Sequence, residues 1–202
     1  MKQANLGLSA DELMVRQAWL QAQVREVVAQ RHLLAISSLA GHAEIVGSYA
    51  MGLMVWPDID ITVTNLGKPD LDVALQLVRR FMNDAGAHRV NIADHRDGSH
   101  PAFPPGIYLG PDIVHDGIAW QVDVWLVDPE SGRERGEQTA RYMAHLTDTQ
   151  RRSILAIKQV AAASDVYHRG VSSVDIYSAV LEAGVATPEE FVAWLAVSGR
   201  SL

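Results

Sequence analysis

Between residues 58 and 64 the chain reads Asp-Ile-Asp-Ile-Thr-Val-Thr. Polar and β-branched residues alternate there with period two, which is the pattern of a strand with one apolar and one polar face. The two carboxylates, Asp58 and Asp60, therefore share a face, and side by side they repel unless something positive sits between them. A hard divalent cation removes that repulsion. Mg²⁺ suits such a site because it takes one or two carboxylates together with phosphate oxygens and water, and Mn²⁺ accepts the same oxygen donors. The chain has no cysteine among its 202 residues, so disulfides, thiol nucleophiles, iron–sulfur clusters and thiolate zinc sites are excluded, and any metal is held by oxygen or imidazole.

Two further elements bear on this pair. Val46-Gly47-Ser48 ends a short apolar strand predicted from His42, and nine uncharged residues, 49–57, separate it from Asp58. Gly47 allows close backbone approach, and backbone N–H groups with the Ser48 hydroxyl suit a terminal phosphate. Asp123 is a lone acid within Trp-Gln-Val-Asp-Val-Trp, residues 120–125, and an acid in an apolar strand requires a partner. If that strand lies beside Asp58 and Asp60, three carboxylates form a cluster able to neutralise the charge that develops in phosphoryl or nucleotidyl transfer.

The run Val46, Gly47, Ser48, then Asp58, Ile59, Asp60, Ile61, with Asp123 on a later strand, resembles the nucleotidyltransferase superfamily of the DNA polymerase β-like fold. That superfamily includes antibiotic adenylyltransferases and minimal nucleotidyltransferases. The resemblance implies that Asp58 and Asp60 hold Mg²⁺ (or Mn²⁺) and a nucleoside triphosphate, ATP in the first instance, with Gly47 and Ser48 on its phosphates. It gives Asp123 two roles, completing the metal site or accepting the proton of the attacking hydroxyl, and both stay open. Arg151 and Lys158, seven apart on one side of a predicted helix, are candidates for triphosphate oxygens. The uncharged gap departs from the many members that carry a basic or polar residue there, which leaves open a weakened or altered activity.

The rest of the chain supplies an α+β frame, a mixed sheet flanked by helices with a helical C-terminal part, divided for expectation at 1–137 and 138–202. A Ser9/Glu12 capping box opens a helix over about 10–30, Asp70 a second to about 85, Thr147/Gln150 a third to about 163, and Thr187-Pro188 a last one, after a helix over 175–182. Residues 88–95 read as a strand, and 107–113 with 118–127 as a hairpin about His115-Asp116-Gly117. Three prolines and two glycines make 96–106 irregular.

Other chemistries lack their patterns. His95 and His100 have no metal-ligand spacing, Ser48 lacks a Gly-x-Ser-x-Gly elbow, and no P-loop lysine is present. Nothing in the first eight residues marks export and the uncharged apolar stretch 45–57 is too short to span a bilayer, so the expected location is the cytoplasm without a membrane partner. The formal charge is −7, although residues 141–170 carry five Arg or Lys against two Asp. An acidic body repels a nucleic-acid backbone and attracts cations, so the expected acceptor is the hydroxyl of a small cationic molecule, an aminoglycoside-like or lincosamide-like antibiotic, and not a nucleic acid. A protein or tRNA acceptor, a non-catalytic nucleotide-binding module and a homodimer are the alternatives.

Overall fold

The computed structural model describes residues 7–65, 67–100, 103–144, 146–167 and 170–202. The chain divides into two compact units, neither of them contiguous in sequence. One comprises residues 21–51 and 57–140, the other residues 1–20, 52–56 and 141–202.

Helix α1 (Ala10–Gln30) opens on the expected box, the Ser9 amide donating to Glu12, and contributes its first half to one unit and its second to the other. In the larger unit follow α2 (Leu33–Ser37), β1 (His42–Val46), α3 (Gly47–Met51), β2 (Asp58–Thr64), α4 (Leu71–Asn83), β3 (Val90–Asp94), β4 (Gly106–His115), β5 (Ile118–Val127) and α5 (Pro129–Ala144), whose last turn leaves that unit. The strands form one mixed sheet in the order β1-β2-β5-β4-β3. Only the central pair, β2 with β5, is parallel, and each other neighbouring pair is antiparallel. The β4–β5 turn carries Asp116 at φ 49° and Gly117 at φ 75°, the left-handed pair of a two-residue Asp-Gly hairpin.

Alternation sends Ile59, Ile61 and Val63 of β2 and Val122, Val124 and Leu126 of β5 to one face, where none is more than 1% exposed. Helices α2 and α4 pack on strands of this sheet, and α4 adds Leu77 and Phe81 to the core. The opposite face carries the acids.

Three helices escaped the sequence reading. Of these, α2 and α3 are only five residues each, too short to show a period. The one buried residue of helix α5 is Gly132, which has no side chain, so the helix has no apolar stripe to announce it. A β-carbon at Gly132 would lie 2.2 Å from Thr64 Oγ1, so glycine is what lets α5 sit against the end of β2.

The smaller unit is built on α6 (Asp148–Ala161), α7 (Ser173–Leu181) and α8 (Pro188–Val197), around Ile154, Leu155, Ile157, Ile176, Phe191 and Leu195, all fully buried. The Thr147/Gln150 box is formed as expected, and a second box, Ser172/Asp175, starts α7. Segment 52–56 joins this core, with Leu53 and Met54 each 1% exposed and Trp56 4%. The missing charge in the gap is thus a packing requirement. No described helix is long and apolar enough to cross a membrane.

Candidate active site

Strand pairing settles where the third acid lies. In the parallel β2–β5 register Asp60 stands opposite Asp123, and Asp58 opposite Gln121, so all three carboxylates emerge on the same face of two adjacent strands. One oxygen from each of Asp58, Asp60 and Asp123 lies within 4.8 Å of the others, and all three residues are half-buried. Three like charges at that spacing fit a divalent cation, since oxygen donors only are present and each acid presents an atom to a common point.

Gly47 closes one side of the cluster. It sits at φ 65°, where β1 turns into α3, and a β-carbon there would stand 2.2 Å from Asp60 Oδ2. Any side chain would fill the space against the Asp60 carboxylate. Ser48 follows directly and is 5% exposed.

The structure adds residues that no motif announced. Tyr108 on β4 donates its hydroxyl to Asp123 Oδ1 at 2.6 Å, and Gln121 donates from Nε2 to Asp123 Oδ2 at 3.2 Å. Burial, and then the Asp123 charge, push the Tyr108 phenol far above its ordinary range, so it stays a donor at any working pH. Arg135 on α5 donates from Nε to Thr62 Oγ1 at 3.1 Å, on the same face of β2 as Asp60. Burial lowers the guanidinium's affinity for its proton, while Asp60 and Asp123 favour the charged form. A cation thus already leans toward the acids. Tyr108 was visible in the sequence only as an aromatic residue on a strand; its link to Asp123 needs the β4–β5 register. Arg135 had no signal, being on the helix that lacks an apolar period.

Beside Asp123 the face becomes aromatic. Trp125, two residues along β5, packs against Tyr108 (centroids 5.2 Å), His95 (5.6 Å) and Phe103 (5.6 Å), and Phe103 stacks on His100 at 4.4 Å and 26°. Phe103 is 44% exposed. Residues 101 and 102 of the proline-rich loop lie outside the described residues.

The two predicted cations do other work. Arg151 donates to the Gly52 carbonyl at 2.7 Å, and Lys158, 1% exposed, donates to the Leu53 carbonyl at 2.9 Å with its ammonium 4.8 Å from the Trp56 ring centre. Their seven-residue spacing does put them on one side of α6, and from it they take consecutive carbonyls of segment 52–56. An ammonium that deep in a packed core is not presented to a ligand, which is a correction to the expectation for Lys158.

No family model matches the chain, and no curated protein matches it. Solved structures do. A structure of a cytoplasmic RNA terminal U-transferase matches with a TM-score of 0.55 at 14% identity, over 85% of this chain and 54% of that one. Cid1 poly(U) polymerase with MgGTP matches with a TM-score of 0.57 at 16% identity, over 80% and 49%. Cid1 in complex with its short product ApU gives 0.55 at 15%, over 86% and 54%. The chain has the nucleotidyltransferase fold. It spans about half the length of each of these structures, and at such identities the likeness concerns the fold. The resemblance drawn from Val46 to Asp123 is thereby met at the level of architecture, an α+β chain with a mixed sheet.

The expectation about partners is corrected. The matched structures are of RNA-acting enzymes, one with a dinucleotide product, which points to nucleic acid instead of a small cationic acceptor and gives the antibiotic reading no support. The expectation had rested on the net charge of −7. A whole-chain charge says nothing about one path across the surface.

Proposed function

We propose that this chain is a divalent-metal-dependent nucleotidyltransferase that moves a nucleoside monophosphate from a nucleoside triphosphate to a terminal hydroxyl of an RNA, releasing pyrophosphate. The observation that carries the reading is the convergence of Asp58, Asp60 and Asp123 within 4.8 Å on adjacent strands. The matched fold is that of RNA terminal transferases, one of them seen with MgGTP, which supports both the metal and the acceptor class.

In this reading Asp58 and Asp60 hold Mg²⁺ or Mn²⁺ with the triphosphate, and Asp123 completes the set. When bound, the metal supplies charge neutralisation on the transferred phosphoryl group. Both Asp123 oxygens already accept a hydrogen bond, from Tyr108 and Gln121, which orients the carboxylate and supports a fixed ligand over a proton acceptor. The absence of a side chain at Gly47 lets the Asp60 carboxylate rest directly against the backbone of the β1–α3 turn, which fixes it beside Ser48 and in line with a metal that would carry the triphosphate. Arg135, tethered through Nε, has its other nitrogens for a phosphate or for the developing negative charge. The exposed Phe103, stacked with His100 and packed on Trp125, which lies two residues along β5 from Asp123, offers a flat apolar surface on which a base of the acceptor can rest.

The test is direct. Purified protein is incubated with each labelled triphosphate, Mg²⁺ or Mn²⁺, and short RNAs bearing a free or a blocked 3′ hydroxyl. Label is expected on the free-ended RNA alone, with metal alone, and not with Asp58→Asn or Asp60→Asn. Transfer that persists in both variants, or label that appears only in a protein fraction, overturns the proposal. The four triphosphates side by side identify the base.

A further inference from the structure

A second convergence of metal-binding atoms lies away from the strand acids. Glu26 on α1, His115 at the end of β4 and Asp116 in the β4–β5 turn each present one ligand atom, all within 4.8 Å of one another. All three belong to the larger unit. His115 is 3% exposed, and its Nε2 is buried without a hydrogen-bond partner among the described residues. It faces Asp116 Oδ2 at 3.7 Å, too long for a hydrogen bond. A buried imidazole nitrogen left in that state is costly, and native structures resolve such cases with a water or an ion. Here the nitrogen faces the Asp116 carboxylate, whose side chain is 73% exposed and so open to solvent and ions, and a Glu26 carboxylate oxygen belongs to the same cluster of ligand atoms. Arg31, just past the end of α1, is turned to the Val114 carbonyl at 2.8 Å.

We propose that Glu26, His115 and Asp116 form a second metal site, selective for a borderline ion such as Zn²⁺, that ties α1 to the β4–β5 turn. The imidazole sets the preference, because nitrogen donors suit zinc while the all-oxygen triad suits magnesium. Bond lengths of about 2.0–2.2 Å put tetrahedral ligand atoms roughly 3.4 Å apart, so the 3.7 Å His115–Asp116 separation already approximates one edge, and a small contraction brings in Glu26. Three protein ligands leave a position for water. The site owes nothing to the proposed transfer reaction.

The experiment uses the full chain carrying Asp58→Asn and Asp60→Asn, which disables the triad, freed of metal by chelator and titrated calorimetrically with Zn²⁺ at pH 7.5. One ion per chain is expected. Zn²⁺ at 100 times its dissociation constant is expected to raise Tm by roughly 5–10 °C for a chain of this size. Asp116→Asn keeps a residue that tolerates the left-handed turn, and Glu26→Gln alters an exposed position, so both should fold. Each is expected to weaken zinc at least tenfold, and His115→Gln to abolish it. Absence of zinc binding, or binding that neither Asp116→Asn nor Glu26→Gln weakens, overturns the proposal.

Discussion

Replacing Gly47 by alanine tests the geometry of the candidate active site at one atom. Gly47 has φ 65°, and the added β-carbon would stand 2.2 Å from Asp60 Oδ2, where ordinary contact begins near 3.4 Å. Two costs follow. An alanine in the left-handed region loses about 1–2 kcal/mol, and the Asp60 carboxylate must retreat by about 1 Å, a misplacement of the order that costs a reaction about a hundredfold. Gly52 provides the matched control. It also sits at φ 65°, but a β-carbon there meets the far end of the Arg151 side chain, at 2.6 Å from Nη1, which can swing aside. Both alanine variants should therefore lose similar stability in urea unfolding, about 1–2 kcal/mol, while only Gly47→Ala loses transfer by about two orders of magnitude and shifts the Mg²⁺ dependence of triphosphate-induced thermal stabilisation. A Gly47→Ala protein with normal turnover, or a Gly52→Ala protein as inactive as Gly47→Ala, would refute the argument that Asp60 is held against a space only glycine leaves.

Tyr108→Phe removes one of the two donors that orient Asp123; turnover should fall by about 10-fold with Tm nearly unchanged, as steady-state kinetics and a melt will show. Arg135→Ala deletes a cation facing Asp60 and Asp123, so Mn²⁺ binding measured by calorimetry should tighten about fivefold, from about 1 kcal/mol of relieved repulsion, whereas Arg135→Lys should leave it unchanged. Lys158→Ala leaves the Leu53 carbonyl unmet and opens a cavity, at about 2–4 kcal/mol, and Lys158→Met should cost less; neither should alter the thermal increment given by Mg²⁺ and triphosphate, and a lost increment would restore a phosphate role to this lysine. For Asp175, burial pushes the carboxyl up, but the Arg200 guanidinium and the Ser172 amide and hydroxyl together outweigh it and hold the carboxyl below its ordinary 3.8. Stability from a lowered carboxyl is present above that value and is lost as pH falls through the folded one, so the Tm deficit of Asp175→Asn should be full at pH 6 and close progressively below 3.8.

Local pattern carried much of this molecule. The alternation at 58–64, the Asp-Gly hairpin turn and the Thr147/Gln150 box are short-range signals, and each appears in the structure where the residues put it. The acids' types and their strands were legible for the same reason. What could not be read was pairing across distance. The Tyr108–Asp123 bond depends on the β4–β5 register, and the meeting of Asp60 with Asp123 depends on a parallel pair in a sheet whose other pairs are antiparallel. Arg135 rides on a helix whose buried contact is a glycine, so neither period nor composition gave it away. The charge-free gap misled in another manner. Its Leu53, Met54 and Trp56 serve a core formed with residues 141–202, and Arg151 and Lys158 are spent on holding that stretch. The acceptor class was misjudged because a whole-chain charge cannot distinguish acids reserved for a cation from acids facing solvent.

The interleaving of the two units bears on how this protein can be dissected. Because segment 52–56 and residues 1–20 belong with the C-terminal helices, a single cut near residue 137 would release neither unit whole: the amino-terminal fragment would keep Leu53 and Met54 stripped of their covering, and the other fragment would lack the strap its lysine and arginine are built to grasp. Fragments trimmed there should aggregate, and a protease that nicks the chain once should leave two pieces that still travel together.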